Sequence, residues 1–162
     1  MNGGASGRAG DVAGSAHLFL REEQLRLGYE SMLRVGRELA RVCDDILQRE
    51  NLGPAHQRVL FLIATHPGMT MTRILQMLHI TKQSLNRVLQ ELVAREFVER
   101  RGKTEDRRLK LLFLTEKGRL LEAAMFDLQR ERLIQAYRGA GGTAVEGFRR
   151  VLGQLMSDLD AA

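Results

Sequence analysis

The chain has 162 residues, a net charge of +5 and one cysteine, Cys43, which excludes an internal disulfide framework and any multi-cysteine zinc or iron–sulfur centre. Its length suits one domain rather than a two-domain enzyme. Its two prolines and its abundance of Leu, Arg, Glu, Gln and Met over Val, Tyr and Phe favour helix over strand.

Residues 1–16 hold five glycines and little to bury, so they are expected to be disordered. They have no apolar core of a secretory signal. The longest apolar run in the chain is six residues, 59–64, far short of the roughly 20 of a membrane span. A cytoplasmic protein without membrane contact is expected.

From Leu18 to about Arg49 the apolar positions Leu25, Tyr29, Met32, Leu33, Leu39, Val42, Cys43, Ile46 and Leu47 recur at spacings of three and four, predicting one long helix. Such a helix would be about 48 Å long, more than a domain this size can cover alone, so something else must pack on its stripe. Asn51, Leu52, Gly53 and Pro54 stop it and open the next helix. Residues 55–65 are apolar almost all round and read as a buried helix ended by His66, Pro67 and Gly68. A short helix over 71–78 turns Ile74, Leu75 and Leu78 inward. After three residues, Thr81 caps a helix over 82–94 with Leu85, Val88, Leu89 and Leu92 as its buried stripe. Two short helices so joined form a helix-turn-helix.

Residues 97–101 and 109–114 have strand character and flank the charged segment 102–108, predicting a β-hairpin with a basic tip. Thr115 caps a helix to about Arg138, Gly139 to Gly142 break it, and a last amphipathic helix runs over 143–159.

The charge is unevenly placed. Residues 81–110 carry nine Lys/Arg against five Asp/Glu, whereas residues 18–51 carry six Arg against seven acids. A local basic stripe is the footprint of a polyanion site, although a solvated arginine-rich surface is the commoner origin of any one charge run. Here the stripe coincides with a helix-turn-helix followed by a basic hairpin, the order of a winged helix. The second helix offers Lys82, Gln83, Ser84, Asn86, Arg87 and Gln90 on its polar face and first turn. Asn and Gln match adenine edges, Arg matches guanine, and Lys82 and Ser84 suit phosphate. Arg101 and Lys103 extend the basic surface along the hairpin, and Arg107 and Arg108 at its tip suit a narrowed minor groove.

With residues 78–87 (LHITKQSLNR), Leu92-Val93, Asp106-Arg107-Arg108 and Leu114-Thr115-Glu116-Lys117-Gly118 in view, the chain resembles the MarR-type winged helix-turn-helix regulators over residues 18–159. Within them it is similar to the PetP subgroup. The resemblance implies a mainly α winged helix-turn-helix with long N- and C-terminal dimerisation helices and a small β-hairpin wing. It divides the chain into a tail at 1–16, a helical dimerisation region at 17–52 and 116–162, and a DNA-binding domain at 53–115. It further implies a cytoplasmic homodimer on double-stranded DNA at a pseudo-palindromic site, tuned by a small-molecule effector or redox signal of unnamed chemistry. By position, Asp106 would orient the wing arginine, Arg108 would read the groove, and Arg107 is a second candidate. Two residues depart from the family pattern: His79 stands where glycine is usual in the turn, and Leu75 replaces a small residue and should push its helix slightly outward.

Cys43, on the apolar stripe with no second thiol, reads as a buried inert side chain rather than an oxidant sensor. His17, His56, His66 and His79 lack metal-ligand spacing, so no metal or other cofactor is expected. No phosphate loop, nucleophile elbow or paired-acid motif marks an enzyme. The competing reading is a winged-helix module that binds a protein or coats DNA without sequence preference; Glu99, Glu105 and Asp106 among the arginines speak for it.

Overall fold

A computed structural model describes residues 18–102 and 110–160. The chain divides into two compact units at Arg41/Val42.

The first unit has a 3₁₀ turn at Leu18–Leu20 and the helix α1, Glu22–Arg41. Glu22 and Glu23 sit in the first turn and Arg41 in the last, complementing the helix dipole. Exposed pairs Glu22–Arg26 and Glu30–Arg34 add i,i+4 support. No residue of α1 is buried, and Leu25, Tyr29, Met32 and Leu33 stand open to solvent. The single helix expected over 18–49 is instead interrupted at Val42–Cys43, a turn between two helices in which Cys43 (φ −96°, ψ −3°) stands at the cap of the second. Asp44 and Asp45 then open a separate short helix, in first-turn positions that favour acids.

The second unit starts with that helix, α2 (Asp44–Arg49), and continues through α3 (Pro54–Thr65), β1 (Met69–Thr70), α4 (Met71–Leu78) and α5 (Lys82–Ala94). The strands β2 (Val98–Gly102) and β3 (Lys110–Leu114) and the helices α6 (Glu116–Ala140) and α7 (Gly142–Asp160) complete it. One core holds it together: Cys43 and Leu47 from the start of the unit, Leu60 and Ile63 of α3, Ile74 of α4, Leu85 and Leu92 of α5, Phe97 just before β2, Leu112 of β3, and Met125 of α6. Residues 43–52 thus contribute Cys43, Leu47 and Leu52 to the winged core.

The sheet has three antiparallel strands in the order β1-β3-β2, one more than the predicted hairpin. Two-residue β1 has no periodicity to read; it exists because Met69 and Thr70 align with Leu112 and Leu111 of β3. Gly68, at φ +82°, makes the entry, and its N–H donates to the Leu112 carbonyl at 2.9 Å. In the helix-turn-helix, the Thr81 hydroxyl accepts from the Ser84 N–H. His79 sits in the left-handed region (φ 48°, ψ 40°), a conformation that costs a non-glycine residue about 1–2 kcal/mol. Leu75 packs half-buried against the core.

The N-terminal turn of α6 lies on the backbone of Glu96 and Phe97. The Thr115 hydroxyl donates to the Glu96 carbonyl at 2.6 Å and accepts from the Gly118 N–H at 3.0 Å. A Cβ on Gly118 would lie 2.0 Å from the Phe97 carbonyl oxygen, so this turn admits only glycine there. Farther along, α6 and α7 leave Leu120, Leu128, Phe148, Val151 and Leu155 exposed. Among the described residues, no helix is long and apolar enough to cross a membrane.

Candidate nucleic-acid interface

The helix α5 is buried along one side and open along the other. Leu85, Val88, Leu89 and Leu92 recur at the helical period and enter the core, which turns the residues between them outward. Lys82, Gln83, Ser84, Asn86, Arg87 and Gln90, the six candidates named from the sequence, line one open groove of about 590 Å³. Asn86 is half-buried and the other five are exposed. Thr81 donates its hydroxyl proton to the Ser84 hydroxyl oxygen at 2.9 Å, which leaves the Ser84 O–H as an outward donor.

A second depression, of about 270 Å³, adjoins this groove at Asn86 and brings in Arg100 of β2 and Lys110 of β3 beside Thr70 and Thr72. Strand alternation explains the placement. Val98 enters the core, so Arg100 and Gly102 share its face, opposite their partners Leu112 and Lys110. Arg101 falls on the other face, opposite Leu111. There its guanidinium lies 4.5 Å from the centre of the Phe113 ring and 2.5 Å from a Glu99 carboxylate oxygen. It lines a separate cavity with Phe113 and Arg119. The structure thus brings the six α5 residues together with Arg100 and Lys110, and sets Arg101 apart from them. Arg100 and Lys110 escaped the sequence reading, although counting alternate positions from buried Val98 would have found Arg100. Lys103, Asp106, Arg107 and Arg108 lie outside the described residues.

Two of the five acids of residues 81–110 have partners of their own among the described residues. Glu99 is engaged by Arg101 on the far face of the sheet. Glu91 of α5 is met by His56 Nε2 at 2.6 Å. Lys82, Arg87, Arg100 and Lys110 therefore present positive charge with amides and hydroxyls between them, a set suited to phosphates and base edges together.

Away from this face, Cys43 is fully buried: Gln57 Nε2 donates to its sulfur at 3.1 Å, and the thiol lies 3.5 Å from the Met125 carbonyl oxygen. Burial, and then the Asp44 charge, push its pKa up, away from the thiolate form that reacts with oxidants. Among the described residues, no cluster of three or more His, Cys, Asp or Glu is arranged to hold a metal.

Comparison with known proteins agrees with this architecture. Residues 50–109 match a model of the MarR family. The chain is 44% identical, over 91% of its length and 89% of the relative's, to the HTH-type transcriptional regulator PetP of Rhodobacter capsulatus. In fold it is similar to a MarR family regulator from Listeria monocytogenes complexed with a 26-mer DNA, at a TM-score of 0.71 and 18% identity over 82% of this chain and 89% of that one. It is also similar to NadR in complex with 4-hydroxyphenylacetate, at a TM-score of 0.68 and 21% identity over 77% and 89% of the two chains. The chain belongs to the MarR family of winged helix-turn-helix transcriptional regulators.

Proposed function

We propose that this protein is a homodimeric, sequence-specific regulator that places α5 in the major groove of double-stranded DNA. The observation that carries this reading is the pair of depressions that share Asn86, one lined by Lys82, Gln83, Ser84, Arg87 and Gln90 and the other by Arg100 and Lys110. In this reading Asn86, Arg87 and Gln90 address base edges, while Lys82, Ser84, Arg100 and Lys110 hold phosphates. The wing contributes Lys103 to the backbone and Arg107 and Arg108 to the adjacent minor groove, with Asp106 orienting them. Arg101, engaged with Glu99 and Phe113, supports the wing from behind.

Dimer formation is supported by the uncovered apolar residues of α1 and, separately, by those of α7, since exposed apolar faces of that kind mark protein–protein interfaces. A second copy would cover both, and two-fold symmetry would set two α5 helices about 34 Å apart on an inverted repeat. The 17–52 and 116–162 segments then serve chiefly in assembly and 53–115 in DNA binding. The reading places the protein in the cytoplasm, gives it no catalytic step, and leaves regulation to a small-molecule effector.

Selection of bound sequences from a random duplex pool at about 0.15 M salt, where non-specific binding is weakened, tests this. An enriched inverted repeat is the expected result. Binding without an enriched motif would replace it with an architectural or protein-binding module.

A further inference from the structure

The segment Glu50–His56, made of the α2–α3 connection and the first turn of α3, touches the recognition helix α5 and its C-terminal cap Arg95 at two points one turn apart. At the first, His56 Nε2 lies 2.6 Å from Glu91 Oε2. At the second, Arg95 just beyond α5 reaches Glu50 Oε2 at 3.3 Å and donates to the Asn51 carbonyl at 3.4 Å. The His56 ring is used at both ends. Its Nδ1 accepts the Gly53 N–H at 3.1 Å, capping α3. That bond assigns the ring proton to Nε2, which donates to Glu91. The ring is well covered, with 13% of its side chain exposed, whereas Glu91 is 50% exposed.

Glu91 follows Gln90 directly and lies one turn after Arg87. Fixing it fixes the rotation of α5 about its own axis, and so the direction in which Arg87 and Gln90 point. Recognition of this kind tolerates errors of only about 0.5 Å and 10–20° in its supporting shell. Core contacts of Leu85, Val88, Leu89 and Leu92 hold α5 from beneath, but apolar packing is non-directional. A hydrogen bond to a charged acceptor adds the direction that packing lacks.

We propose that the segment Glu50–His56 is a two-point latch on the recognition helix, with His56 as its positioning residue, so that the latch sets which base edges α5 can read. The proposal rests on the DNA-binding reading above and assigns a role to residues outside the lining of both depressions.

Three variants test it in the full chain: His56→Asn, which keeps an acceptor near Gly53 but is too short to reach Glu91; Glu91→Ala, which removes the exposed partner; and Glu91→Gln, which keeps a side-chain oxygen for the His56 N–H. Affinity is measured for the duplex recovered by selection and for a scrambled duplex of the same composition, alongside amide hydrogen exchange over residues 82–95. His56→Asn and Glu91→Ala should lower the ratio of the two affinities roughly tenfold and speed exchange in the last two turns of α5. Glu91→Gln should retain the wild-type ratio. Faster exchange with an unchanged ratio would overturn the positioning role and leave a mere fastening. Unchanged exchange and ratio would overturn the latch altogether. If the wild type itself prefers neither duplex, the DNA-binding reading fails and the positioning role falls with it. That outcome differs from failure of the latch alone, in which the wild-type preference survives in every variant.

Discussion

Neighbouring arginines on β2 separate the two faces of the wing. Arg100 shares a depression with Asn86 and Lys110, whereas Arg101 is stacked on Phe113 and paired with Glu99. If Arg100 holds a phosphate as proposed, replacing it with alanine should remove one contact per protomer, or two in a two-fold dimer. Each contact contributes about 0.9 to the slope of log affinity against log salt, so the slope should flatten by about 1.8. Between 50 and 200 mM salt this makes the variant's deficit about twelvefold larger at the lower concentration. Arg101→Ala should leave the slope unchanged. Its cost is to stability: about 0.5–1 kcal/mol for the exposed stacking on Phe113 and at most about 1 kcal/mol for the screened ion pair with Glu99. Fluorescence anisotropy across a salt series, paired with thermal denaturation of each variant, reads both effects. Arg100→Lys should restore the slope by restoring the charge. A flattened slope for Arg101→Ala together with a wild-type slope for Arg100→Ala would refute the assignment of faces.

The remaining predictions concern the scaffold. Gly118→Ala forces a methyl group onto the Phe97 carbonyl and should cost about 3 kcal/mol or more in denaturant unfolding; an unchanged midpoint would contradict the described approach. Cys43, with its pKa raised by burial and by Asp44, should be alkylated by iodoacetamide at pH 8 at least about tenfold more slowly in the native protein than in the unfolded chain. Equal rates would show that the thiol is accessible. The Glu122 carboxyl is raised above the ordinary 4.5 by burial first and by the Asp127 charge second. Its native state therefore holds a proton more tightly than the unfolded chain, and stability falls as pH rises from about that value through the raised native pKa. Glu122→Gln should raise the thermal midpoint at pH 7.5, with the gain shrinking toward pH 4; a gain that grows on acidification would reverse the sign of the argument.

The helix-turn-helix was the most legible part of the chain because its signals are local. An apolar residue every third or fourth position, a threonine before Lys82 and a three-residue turn place α4 and α5 at the observed Met71–Leu78 and Lys82–Ala94. The polar face of α5 follows from the same period, which is why all six of its candidate residues share one groove. The break at Val42–Cys43 was not legible, since the apolar spacing runs through it without a glycine or proline.

What the amino-acid sequence determined by itself was the set of elements whose cause lies within a few residues: the helical stripes, the caps at Thr81 and Thr115, and the concentration of charge in residues 81–110. The tertiary structure alone decided what depends on a distant partner. Two residues at Met69–Thr70 became a strand because β3 lay alongside them. Arg100 rather than Arg101 came to face Asn86 because the core claimed Val98. His56 met a carboxylate 35 positions away. Period and capping are properties of the local backbone; strand pairing, the choice of sheet face and contacts across the core arise only once folding has brought remote segments within hydrogen-bond reach.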